Sequence, residues 1–117
     1  MAIKRYIANA DTTITNAFKS NLTTRGTGSN MGASDVLEVF SIYAQAASSS
    51  AELSRILIKF PTTDISTDRT NADIPASGSV NFFLRMYNCK HAFTLPKNMK
   101  LVVTPIAVDW EEGTGLD

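Results

Sequence analysis

Four groupings of side chains in this sequence are of types that could do chemistry. Cys89 and His91 bring the only thiol and the only imidazole within two positions of each other. In extended chain, Cys-x-His places both on one face, which suits a metal. Zinc, however, takes three or four protein ligands, and two do not make a site. A nucleophilic dyad would draw its partners from separate parts of a fold. The pair reads as a semi-buried thiol beside a surface-loop histidine. The loop "DISTDRTNAD" offers Asp64, Asp68 and Asp73 as oxygen donors. Calcium needs several oxygens converging from a short loop, and neither this spacing nor a following bidentate glutamate matches the helix-loop-helix form. In "DWEEG", Asp109, Glu111 and Glu112 surround Trp110. An acid/base pair for glycoside hydrolysis must face across a cleft, whereas neighbours on a strand diverge to opposite faces.

The fourth grouping is "RGTGSNMGAS", residues 25–34, with three glycines inside seven positions. A phosphate-binding loop follows a buried strand and opens a helix whose N-terminus meets the phosphate. Here a strand pattern follows instead, and no Lys-Ser/Thr pair completes the motif. The stretch is read as a strand-to-strand loop whose glycines permit positive φ. With a single histidine no Ser-His-Asp constellation can be drawn, and no aromatic-and-basic stripe suggests RNA or single-stranded DNA. The expectation is a protein that is not an enzyme and that uses no cofactor and no metal.

The elements that must position these residues read as strands. In "VNFFLRMY", Val80, Phe82, Leu84 and Met86 share one face, with Asn81, Phe83, Arg85 and Tyr87 on the other. In "ELSRILIKF", Ile56, Ile58 and Phe60 lie opposite Arg55 and Lys59. "LVVTPIAVDW" aligns Val102, Ile106, Val108 and Trp110, with Pro105 implying an edge or bulge. "SDVLEVFSIY" is apolar on both faces, as a central strand would be. A weaker strand, "DTTITNAF", follows an extended start at residues 3–7. The one helical candidate, around Ala44 and Ala47, is broken by the serines at 48–50. The predicted core is Ile56, Ile58, Phe60, Phe82, Leu84, Val102, Ile106, Val108 and Trp110. Long polar connections, "PTTDISTDRTNADIPASGS" and "NCKHAFTLPKNMK" among them, suit a jelly-roll or Greek-key β-sandwich in an all-β domain spanning residues 1–117.

Bulk properties narrow the function. The 117-residue chain has 44% hydrophobic and 19% charged residues, as a globular domain does, and eleven cations balance eleven acids. No global field pulls it onto nucleic acid or an anionic membrane. No run approaches the ~20 apolar residues of a membrane helix, and "MAIKRYIANADTT" lacks the apolar run of a signal peptide. One cysteine excludes an internal disulfide. Folding in a reducing cytoplasm is expected.

Three stretches, "GTGSNMGASDVLEVF", "SRILIKFP" and "DWEEGTG", resemble in that order the landmarks of a β-sandwich family termed DNRLRE-like or carbohydrate-binding-module-like. More closely, the chain resembles the N-terminal part of virion structural proteins of marine cyanophages with contractile tails. "MAIKRYIANADTTITNAFKSNL" and "GTGSNMGASDVLEVFSIYAQA" are the most specific stretches. The resemblance implies a jelly-roll-type sandwich in a phage particle, associated with capsid or tail and acting by protein–protein packing. Partners would be other virion proteins and copies of itself. The family's carbohydrate-binding members imply the alternative of a glycan-binding adhesion module at the host surface, with no sugar-binding residue carried over. Trp110 matches as a structural landmark. Such proteins continue past the Trp-Glu-Gly turn with strands that complete the sandwich, whereas this sequence stops at "GTGLD". Neighbours are therefore expected to cover the exposed faces, and the extended start, residues 1–8 with Ile3, Tyr6 and Ile7, is expected to serve as an interface arm.

Overall fold

Regular structure in this protein is dominated by strands. The structure, a computed structural model, describes residues 3–28, 30–92 and 97–116. Part of the connection 88–100, residues 93–96, and the first two residues of the expected arm lie outside them. The chain divides into two units, Met1–Val80 with Glu111–Asp117, and Asn81–Trp110.

The first unit holds a three-stranded antiparallel sheet of β1 (Ala10–Thr15), β2 (Ser41–Tyr43) and β3 (Ala51–Lys59), in the order β1-β3-β2. β3 is central. It alternates as its sequence requires: Glu52 and Ser54 are buried and Ile56 and Ile58 half-buried, while Leu53, Arg55 and Lys59 are exposed. Its register sets Thr13 against Ile56, Asp11 against Ile58 and Leu53 against Ser41. The expected central strand, "SDVLEVFSIY", is the departure. Only Ser41–Tyr43 joins the sheet, and at its edge. Just before β2 the Phe40 carbonyl still accepts the Ser54 N–H, but other backbone groups there are bonded to side chains. The Glu38 N–H donates to Thr13 Oγ1 (2.9 Å) and the Phe40 N–H to Ser54 Oγ (2.7 Å), whose hydroxyl donates to the Glu38 carbonyl (2.9 Å). Between β2 and β3, Ala44 takes a φ of 59°, and Ser50 Oγ accepts the N–H groups of Ala46 and Ala47. The serines make a turn there, as their competition with helical bonding predicts.

The interior of this unit is polar. Thr12, Thr13, Glu52 and Ser54 are buried, and Ile74 is the buried large hydrophobic residue among those described. Glu52 Oε1 accepts the Phe18 N–H at 2.7 Å. Arg25 Nη1 donates to the carbonyls of Asn16 and Ala51 while its guanidinium stacks 3.8 Å over the Phe18 ring. Buried polar groups of this kind persist because each bond replaces water.

A helix, α1 (Thr62–Thr70), occupies the stretch expected to be loop. Pro61 precedes it with φ near −73°, Asp64 sits in its first turn and Arg69 in its last, in line with the helix dipole. The hydroxyls of Thr67 and Thr70 donate back to the carbonyls of Thr63 and Ser66. No residue of α1 is buried. Its sequence therefore has no apolar period of 3.6 to betray it.

The second unit corrects the predicted core. None of its described residues belongs to a strand or helix. Phe82 is 60% exposed and Val102 84%, and Leu84, Ile106 and Val108 are exposed as well. Of the nine predicted core residues, Ile56, Ile58, Phe60 and Trp110 are half-buried. The cause is pairing. Period-2 alternation marks a strand only where a neighbouring strand takes up the backbone, and residues 83–91 make no backbone hydrogen bond.

Candidate functional site

The sequence-derived groupings scatter. Cys89 is exposed, as is His91, and among the described residues no three His, Cys, Asp or Glu side chains could hold a metal ion together. Asp109 Oδ1 accepts the N–H of its neighbour Trp110, and Glu112 Oε1 accepts the Asp11 N–H at 2.7 Å. The carboxylates serve as backbone acceptors here, and Glu112 ties the segment after Trp110 to the start of β1.

The glycine loop spends its donors on the protein. The N–H of Gly26 goes to the Ala17 carbonyl, that of Ala33 to the Gly115 carbonyl and that of Ser34 to the Met31 carbonyl. Positive φ is needed at Gly28, at 87°. Gly32 serves differently. A Cβ there would run into the backbone of Gly113, and Asn30 Oδ1 accepts the Gly115 N–H at 2.6 Å. Gly113 and Gly115 and the glycine loop, some eighty residues apart, form one close backbone crossing. Only small residues permit such an approach.

The densest polar cluster joins the extended start to α1. Lys4 Nζ lies 2.6 Å from Asp68 Oδ1 and 3.5 Å from Asp73 Oδ2, and the Tyr6 hydroxyl donates to Asp68 Oδ2 at 2.6 Å. An i, i+2 spacing in extended chain brings Lys4 and Tyr6 to one side. Ile3 and Ile7 face away, 81% and 85% exposed. The hydrogen bond to Asp68 raises the Lys4 ammonium and the Tyr6 phenol above their ordinary values. Lys4 and then Tyr6 lower the Asp68 carboxyl. The three loop aspartates are thus not a cation site: Asp64 and Asp68 are one turn apart on α1, and Asp68 and Asp73 are occupied by Lys4. No pattern in the sequence paired Lys4 with an acid 64 positions away, and a lone lysine in a mixed stretch gives no such signal.

Two further features went unread in the sequence. Glu52 is buried with Oε2 unpartnered. On the opposite face of the sheet, Ile14, Thr15, Asn16, Leu53 and Arg55 line a shallow open depression. No helix among the described residues is long and apolar enough to cross a membrane. No protein-family model, curated protein or solved structure matches this chain.

Proposed function

We propose that this chain is a non-enzymatic virion structural protein of a bacteriophage, capsid- or tail-associated, which works by packing against other virion proteins and copies of itself. The phage assignment rests on the resemblance of the chain to the N-terminal part of cyanophage virion proteins. The packing rests on one observation, exposed apolar side chains: Ile3, Ile7, Phe83 and Val102 are each more than 80% exposed, and exposed apolar surface marks protein–protein contact. Large hydrophobic residues lie at the surface in both units, from Ile3 and Ile7 to Val102 and Val103. In this reading the jelly-roll sandwich is completed only in the particle, and the protein folds in the host cytoplasm before assembly. Sedimentation of the purified chain tests it. Association at micromolar concentration is expected, and a cooperatively folded monomer there would overturn the proposal.

The exposed rings of Tyr43, Phe83 and Tyr87 favour a second reading, a glycan-binding adhesion module contacting the host surface. Saturable binding to a defined sugar on a glycan array, lost in Tyr87→Ala, would establish it.

A further inference from the structure

We propose that residues 83–91 of one copy add as a strand to the open edge of β2 in a second copy. The inference rests on the packing role above and names its segment, its edge and its partner.

The donor is strand-like in everything except its pairing. Residues 83–91 are all exposed, and none makes a backbone hydrogen bond. The segment contains no proline or glycine, and β-forming Phe83 and Tyr87 alternate with Leu84 and Met86. A row of free N–H and C=O groups with this alternation is half of a ladder.

The acceptor is chosen by comparing the two edges of the sheet. Along β1, Thr12 and Thr13 are buried and the Asp11 N–H is taken by Glu112, so that edge is covered over most of its length and open only at Ile14 and Thr15. Along β2 all three residues are exposed. The bonds Ser54 N–H to Phe40 O and Ala44 N–H to Ser50 O turn the backbone of residues 40, 42 and 44 toward β3. Antiparallel alternation then turns the N–H and C=O of Ser41 and Tyr43 outward.

Charge selects a second copy as the partner. Asn81–Trp110 carries four cations, Arg85, Lys90, Lys97 and Lys100, against the single acid Asp109. The other unit carries seven cations against ten acids, and Asp35 and Glu38 directly precede β2. The basic segment of one copy therefore complements the acidic edge of the next. Donor and acceptor are different surfaces, so the contact either closes reciprocally in a twofold dimer or propagates head-to-tail into a ring or a filament.

The test uses the full chain, with sedimentation for size and backbone hydrogen exchange for pairing. On assembly, the amides of residues 83–91 and those of Ser41 and Tyr43 should slow together. Tyr43→Pro removes an outward donor and leaves the β2–β3 bonds in place; it should weaken association about tenfold, as loss of a ladder bond and its neighbours implies. Arg85→Glu with Lys90→Glu should also weaken it about tenfold, and Asp35→Lys with Glu38→Lys should restore it. Assembly with fast amides at 83–91 would overturn the strand addition and leave the packing role standing. Slow amides at 83–91 in a monomer would overturn it in favour of pairing within one chain, and an unrescued charge reversal would place the acceptor elsewhere. A folded monomer at every concentration would overturn both proposals.

Discussion

Ser54→Ala should be far more damaging than the removal of one surface hydroxyl. Ser54 is 9% exposed, and its Oγ both accepts from Phe40 N–H and donates to the Glu38 carbonyl. Alanine leaves both backbone groups without their partner in part-buried positions, where water replaces it only incompletely. Each orphaned buried group costs about 1–3 kcal/mol; two such groups in part-buried bonds should cost about 2–4 kcal/mol, below the ~6 kcal/mol of two fully buried ones. Ser50 supplies the control. Its Oγ is bonded to three backbone groups in the turn between β2 and β3, but two of those three bonds are solvent-exposed. Ser50→Ala should therefore cost under about 1 kcal/mol. Urea unfolding of the assembled protein measures both, with hydrogen exchange at Glu38 and Phe40 locating the damage. Ser54→Thr, which keeps the hydroxyl, should recover part of the loss. If Ser54→Ala proves no worse than Ser50→Ala, the account of residues 36–40 as held down by buried hydroxyls fails.

Gly32→Ala should cost about 1–3 kcal/mol by overpacking, because its Cβ meets the Gly113 backbone. Gly28→Ala, in open space at a φ of 87°, should cost about 1–2 kcal/mol from conformation alone, and urea midpoints separate the two. Tyr6 should titrate above the ordinary tyrosine value of 10.0 by ultraviolet absorbance, and Asp68→Asn should bring it down. Asp68, lowered from 3.8, contributes stability above that pH that is lost as pH falls through its folded value. Lys4 and Tyr6 are raised, so their contribution is present below 10.5 and 10.0 respectively and is lost as pH rises through their folded values. Hydrogen exchange at Asn9, whose N–H bonds the Lys59 carbonyl, should stay protected between those limits and quicken outside them. Phe83→Ser should change the stability of the free chain by less than about 0.5 kcal/mol, since Phe83 is 88% exposed, yet should weaken association in sedimentation.

Local patterning was legible before any contact was known. Alternation in "ELSRILIKF" put Ile56 and Ile58 opposite Arg55 and Lys59, and β3 keeps that division. "DTTIT" lies within β1, and the serines after Tyr43 make a turn. Three matters were decided only by tertiary contact. α1 carries no apolar stripe, so the dipole-matched Asp64 and Arg69 and the proline before them were its only marks, and these read equally well as loop. β2 shrank to three residues because Thr13 and Ser54, distant in sequence, took the backbone of residues 38–40. Lys4 and Tyr6 met Asp68 for a reason no spacing encodes: a fold brought the extended start beside a helix 60 residues on. The segment around Phe82 shows the limit most plainly. Its alternation fits a strand, but a strand is a relation between two backbones, and a sequence specifies only one of them.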